Sequence, residues 1–351
     1  MEKNGVLLYG ANGYTGRLIV EAAVRDGVPL AVAGRRREAV EPIAREHGLP
    51  LHVFPLEDAA ATAAALRPYR ALLLAAGPFS HTSAPAVAAC LSTGTHYLDI
   101  TGEIAVFEAV FARDRDAKAA GVVLLPGTGF DVVPSDCLAV SLKEALPTAV
   151  RLELAFRGFK TSAGTARTMV EGLPKGSAAR IGGKLVPVPA AWKTREVAFP
   201  DKRRLVVSIP WGDLSTAWRS TGIPDITTYM AMPPRQATAL RWGRPLIPLL
   251  GLSPVQSLLT AAVGRFVSGP TAEERARERS VLWGRVEDAS GNAVEGTLET
   301  LEGYLFTAEA ALRCARRVAD GTVAPGAWTP GQAFGGRFVE EIPTTRLRVP
   351  A

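Results

Sequence analysis

Gly10, Gly13 and Gly16 stand at three-residue spacing after the apolar run 6–9, and Leu18, Ile19, Ala22 and Ala23 then recur at helical spacing until Gly27. Strand, glycine turn and helix in this order present backbone N–H groups at the positive end of a helix dipole. An anion is held there without a cationic side chain. The glycines let the turn be tight, a pyrophosphate come close and the helix pack on its strand. A turn built of packing glycines alone would look similar. The next apolar run, 30–33, ends in Gly34, Arg35, Arg36 and Arg37. An acid at the end of this strand would take a ribose 2′-hydroxyl, whereas arginine accommodates a 2′-phosphate. Arg35 and Arg36 occupy the place and no acid does, so NADP(H) is the expected cofactor, with a solvated basic turn as the plain alternative.

Hydride transfer needs a nicotinamide facing an electrophilic carbon and a group that supplies or accepts a proton. The candidates lie where strands are expected to end. His81 follows "GPFS" and titrates near neutrality when unperturbed, unless it is a surface or capping histidine. Asp99 and Glu103 can serve as acid or base, or can cap helices. Asp131 follows Gly129 and Phe130 and can reach ribose or substrate, or close an Asx turn. Tyr97 reads as core. Arg167 can pair with a substrate carboxylate or be solvated. No Ser/His/Asp order or metal spacing competes, and no metal is expected.

The elements that would position these residues alternate. Strands are expected near residues 6–9, 30–33, 51–54, 71–75, 97–100 and 122–125, with helices at 58–66, 83–93 and 104–120 among the connections. The fold class is therefore α/β, a Rossmann-like doubly wound parallel sheet, with ligands beyond the carboxyl ends of its strands. The chain has 351 residues, 47% hydrophobic and 21% charged, which suits two globular domains. Its net charge of +6 comes from scattered residues without interleaved aromatics, so nucleic acid is not an expected partner. Cys90, Cys137 and Cys314 are far apart and read as buried thiols. Residues 1–5 carry no signal-peptide pattern, and the expected location is the cytoplasm.

"GANGYTGRL", "AGR", "AGPF", "CLSTGTHYLDITGE" and "GFDVVPSD", in this order, resemble the saccharopine dehydrogenase-like oxidoreductases, which include the trans-acting enoyl reductases. The likeness resumes in "IPWGDLSTAWRSTGIPDITTYMAMP", "EGYLFTAEAALRCARRVADG" and "PGAWTPGQAFG", while residues 234–280 carry none of it. The resemblance implies a Rossmann domain for NADP(H) and a second α+β domain over the nicotinamide. It extends the cofactor-binding set to Asn12, Tyr14 and Thr15 in the glycine loop and to Gly77, Pro78 and Phe79 after the fourth strand. It leaves enoyl and imine chemistry both open.

Three regions follow: residues 1–140 for NADP, 141–310 for the second α+β domain, and 311–351 as a C-terminal segment able to return to the first. The second domain is expected to hold an antiparallel sheet, with alternation at Val150, Leu152, Leu154 and Phe156 and a hairpin turning at "ASGN". Residues 245–264 carry no charge, yet Pro248, Gly251 and Pro254 oppose a regular spanning helix. Burial or a substrate channel is the preferred reading of this segment, with contact to membrane, lipid or a partner subunit as the alternative. The uncharged segment suits a lipid-like small-molecule substrate, and hence an NADPH-dependent enoyl-type reductase. An imine reductase, a non-catalytic NADP(H)-binding protein and a membrane-associated protein retaining the fold remain alternatives, and an oligomer is compatible with each.

Overall fold

A computed structural model describes residues 3–157, 160–172, 174 and 176–350. The chain divides into two compact units, Met1–Val133 with Tyr304–Ala333, and Pro134–Gly303 with Phe334–Ala351. The strands are β1 (Val6–Tyr9), β2 (Leu30–Gly34), β3 (Leu51–Val53), β4 (Ala71–Leu74), β5 (His96–Asp99), β6 (Val123–Leu125), β7 (Ala149–Phe156) and β8 (Ser177–Ile181). They continue with β9 (Lys184–Val188), β10 (Thr194–Ala198), β11 (Arg203–Ser208), β12 (Asp225–Ala231), β13 (Arg279–Asp288), β14 (Ala293–Leu301), β15 (Gly326–Ala327) and β16 (Arg346–Arg348).

In the first unit the order is β15-β6-β5-β4-β1-β2-β3, and every pairing is parallel. Parallel strands joined by helices are covered on both faces, which is why β1, β2, β4 and β6 are apolar throughout and fully buried. The order reverses at β1, whose neighbours are β2 and β4, so the loops leaving these strands flank the switch point of the sheet. The helix expected at 83–93 starts earlier and runs Phe79–Thr93. The one expected at 104–120 divides into Ile104–Phe111 and Asp114–Ala120.

The second unit holds the order β10-β11-β12-β7-β13-β14-β16, with β8 on β12 and β9 on β8. Here the expectation of an antiparallel sheet needs correction, because β12 pairs with β7 in parallel and the sheet is mixed. A parallel pair demands a crossover connection, and the long path between β7 and β12 includes the helix Asp213–Thr221. Ala155, Val197, Val206, Tyr229, Val281 and Trp283 join strands β7, β10, β11, β12 and β13 through a common core. The hairpin β13–β14 turns at "ASGN" as its sequence implies.

The units divide the chain differently from regions 1–140, 141–310 and 311–351. The first break falls at Val133, because the helix Val133–Ala145 lays Leu138 and Leu142 against Gly284 of β13. A Cβ at Gly284 would lie 2.6 Å from Leu142, so glycine permits this approach. The C-terminal segment is shared: Tyr304–Ala333 adds β15 to the first sheet, while Phe334–Ala351 adds β16 to the second. Cys90, Cys137 and Cys314 are buried and in no disulfide with one another.

Candidate functional site

The three glycines of the first loop do different work. Gly10 has φ +95°, and a Cβ there would meet the Ala75 carbonyl carbon at 2.8 Å, so both conformation and space require glycine. At Gly16 a Cβ would come within 2.2 Å of the Gly10 carbonyl oxygen, so its absence lets the helix Tyr14–Arg25 sit on the loop. Gly13 is unlike both. Its backbone is extended (φ −71°, ψ 165°), and its nearest protein atom would be 3.3 Å from an added Cβ. An added Cβ at Gly13 would press on the Gly10 carbonyl oxygen by only a few tenths of an ångström, far less than at Gly10 or Gly16, and it would point into the space in front of the helix N-terminus. That terminus has no side-chain cap and no acid in its first turn, leaving its positive end to an anion. A pyrophosphate fits this cradle.

Around the cradle, the exposed Asn12 lies by Gly34 at the end of β2, and Thr15 is half-buried. Tyr14 packs edge-on against Tyr304, their ring centroids 4.8 Å apart. Arg35 and Arg36 are exposed just past β2, where the 2′-phosphate of NADP would lie. Arg36 sits 3.9 Å from Glu38, whereas Arg35 makes no ion pair among the described residues. Replacing Arg35 by Asp is expected to weaken NADPH binding by roughly 10- to 100-fold, the worth of a charge-assisted hydrogen bond, while leaving NADH little affected. Titration calorimetry with both nucleotides checks this; equal affinity of the unmodified protein for the two would remove the argument.

Beyond β4, Gly77, Pro78 and Phe79 enter the helix Phe79–Thr93. Glu103 reaches across from the loop after β5, where its carboxylate accepts from Phe79 N at 2.8 Å and Ser80 N at 3.0 Å. It therefore caps a neighbouring helix. Thr82 Oγ1 donates to the Ala76 carbonyl at 2.7 Å and fixes the other side of the same turn.

The three proton-transfer candidates are placed very differently. His81 is exposed in the first turn of the helix Phe79–Thr93, with its backbone N–H on the Pro78 carbonyl. Asp99 is completely buried and accepts from Tyr97 Oη at 2.6 Å, Gly127 N at 2.8 Å and Thr101 N at 3.0 Å. Thr128 donates to the Asp99 carbonyl through both N and Oγ1. Burial pushes the Asp99 carboxyl up to about 6 although these hydrogen bonds favour its charged form. Asp99 thus ties the loops after β5 and β6 together.

Asp131 has no such network. The residue is half-buried, its Oδ1 is fully buried without a hydrogen-bond partner among the described residues, and burial pushes the carboxyl up to about 7. A Cβ at Gly102 would lie 2.7 Å from Asp131 Oδ2, so glycine in "DITGE" makes room for this carboxyl. The turn carrying Asp131 is braced by Thr307, whose Oγ1 accepts from Phe130 N at 3.0 Å. Thr307 and Tyr304 were not among the sequence candidates. Their segment, "EGYLFT", resembles the family's, but nothing local to it says which loops it supports.

Arg167 lies exposed on the helix Ala163–Gly172, in the second unit. Residues 245–264 depart from the preferred reading of burial. They form a 3-10 helix, Arg244–Gly251, and most of an α-helix, Ser253–Phe266, with Leu246, Leu249, Leu252 and Leu258 exposed. Pro245 and Pro254 stand at the second position of their helices, where the missing N–H costs little, while Pro248 lies inside the 3-10 helix, and the two helices meet at an angle instead of continuing as one rod. Among the described residues no single helix is long and apolar enough to cross a membrane.

Residues 6–125 match the family model described as the saccharopine dehydrogenase NADP binding domain. A trans-acting enoyl reductase of Mycobacterium bovis is 28% identical over 218 residues, which cover 56% of this chain and 51% of that protein. A lipid droplet localized protein of Caenorhabditis elegans is 26% identical over 277 residues, covering 69% of this chain and 64% of the relative. The chain spans about half the length of the enoyl reductases it matches. Apo saccharopine dehydrogenase (L-Glu forming) from Saccharomyces cerevisiae shares the fold with a TM-score of 0.69 over 99% of both chains, at 13% identity. The glycine cradle, the arginines after β2 and the family match converge on one part of the chain: residues 6–125 form an NADP-binding domain of the saccharopine dehydrogenase type.

Proposed function

We propose that the protein reduces an activated C=C bond of an apolar or acyl substrate with NADPH, and that Asp131 supplies the proton. The observation that carries this reading is the Asp131 carboxyl, held up to about 7 in the loop after β6 with a buried oxygen that has no hydrogen-bond partner among the described residues. NADPH held on the loop of Gly10, Gly13 and Gly16, with Arg35 at its 2′-phosphate, would supply the hydride. Asp131, which keeps its proton in a substantial fraction of molecules near neutral pH, gives it to the adjacent carbon as negative charge develops there, and is then reprotonated from solvent. Asp99 holds the loop at Gly127 while Glu103 holds the turn at Phe79, so both act as positioning residues. His81, exposed on the helix after β4, is not needed in this scheme.

The relative named as a trans-acting enoyl reductase supports C=C chemistry, and the one named as lipid droplet localized supports an apolar substrate. The test is NADPH consumption with a panel of enoyl thioesters, cyclic and open imines, and ketones. Turnover of long-chain enoyl thioesters alone is expected. Turnover restricted to imines would transfer the proposal to saccharopine-type chemistry.

A further inference from the structure

We infer that the corner formed by the helices Arg244–Gly251 and Ser253–Phe266 is a peripheral docking surface for a phospholipid membrane bearing anionic headgroups. Of the ten large apolar side chains that the described residues expose, six lie between Trp242 and Phe266. Trp242 is 81% exposed, Leu258 71% and Phe266 78%. The exposure is patterned. In a 3-10 helix residues three apart lie over one another, so Leu246 and Leu249 share a face, and Leu252 continues their three-residue spacing. On the following helix Leu258, Ala261 and Arg265 share the outward face.

The elements behind this surface are fastened to the second unit. Gln256 Nε2 donates to the Val170 carbonyl at 3.1 Å and the Leu250 carbonyl at 2.6 Å. Arg244 Nη2 donates to the Ala191 carbonyl at 2.6 Å. The apolar side chains are thus held outward by a built support.

Charge decides the occupant. From Ile226 to Ala272 there is no Asp or Glu, whereas Arg235, Arg241, Arg244 and Arg265 fall in that stretch, all but Arg244 exposed. On the packed helix Ala163–Gly172, exposed Arg167 and Glu171 offset one another beside exposed Met169. A cationic rim around apolar side chains opposes a second copy of the same face and suits anionic headgroups over acyl chains. Trp242 suits the headgroup level. The two helices meet at 89°, and at about 16 Å and 21 Å neither reaches across a hydrocarbon layer of about 30 Å, so the corner dips into one leaflet.

The inference does not depend on the reductase reading, and its test needs no substrate. The full chain is sedimented with phosphatidylcholine vesicles, with and without phosphatidylserine, at low and high salt. Partition to the anionic vesicles is expected to exceed that to neutral ones by roughly 30-fold, contributed by Arg241 and Arg265, and to weaken with salt. Leu246→Ser with Leu258→Ser should lower partition roughly 100-fold while NADPH affinity, which reports on the other unit, stays unchanged. Brominated acyl chains should quench tryptophan fluorescence in the unmodified protein and much less in Trp242→Phe. Absence of binding to either vesicle, or partition indifferent to the double serine variant, would overturn the inference. So would sedimentation equilibrium showing a dimer that the serine variant dissociates.

Discussion

Gly13→Val is expected to abolish measurable NADPH binding while the melting temperature stays within a few degrees of the unmodified protein. The extended backbone of Gly13 is one that valine adopts readily, and the one tight contact of the new Cβ, 3.3 Å to the Gly10 carbonyl oxygen, is relieved by a shift of a few tenths of an ångström. The branched carbons then occupy the space in front of the helix Tyr14–Arg25. Losing two charge-assisted backbone hydrogen bonds to a pyrophosphate corresponds to roughly 100- to 10,000-fold in affinity. Gly16→Val is the contrasting variant, since its Cβ would stand 2.2 Å from the Gly10 carbonyl oxygen and the first unit should unfold. Calorimetry and thermal melts on both separate a ligand glycine from a packing glycine. Undiminished NADPH binding by Gly13→Val would show that the loop is only a tight turn.

The second large effect belongs to Asp131. Asp131→Asn should lower turnover by roughly 100- to 10,000-fold, the range for a general acid, with NADPH affinity unchanged. In the unmodified protein turnover should fall as pH rises above about 7, where the carboxyl loses its proton, and the variant should lack that limb. Stability carries the same signature with a definite sign. A carboxyl whose folded value is raised contributes stability in full below its ordinary range, and that contribution is lost as pH rises through about 7. Asp131→Asn should therefore flatten the decline of stability between about pH 4 and 7. Asp99→Asn, made alongside, should reduce the melting temperature first, because Tyr97, Thr101 and Gly127 all donate to that carboxylate. Full turnover by Asp131→Asn would remove the proton-donor assignment.

The glycine cradle and the arginines after β2 were legible because they act through the backbone and through position along one strand–turn–helix unit. Both are local properties of sequence. The roles of Asp99, Glu103 and Asp131 were not, although all three stood out as acids near strand ends. Which of them is saturated with donors depends on loops that the sheet order brings together, as with Gly127 N on Asp99 or Phe79 N on Glu103. A parallel sheet makes such partners distant in sequence. Residues 245–264 show the same limit from another side: their lack of charge is plain, but burial depends on whether another surface covers them, and Leu258 is left uncovered. The shared C-terminal segment was legible only as a return, since β15 has two residues and no periodicity to read.

In the proposed reaction, hydride from NADPH reaches one carbon of a carbon–carbon double bond while a proton from the protein reaches its neighbour. The most direct measurement uses NADPH labelled with deuterium at the transferred position of the nicotinamide and a long-chain enoyl thioester, with mass-spectrometric location of the label. Deuterium is expected at the β-carbon of the saturated product and, in heavy water with unlabelled NADPH, solvent deuterium at the α-carbon. Label delivered to the carbon of a C=N bond in an imine substrate, with none to the enoyl thioester, would contradict that reaction.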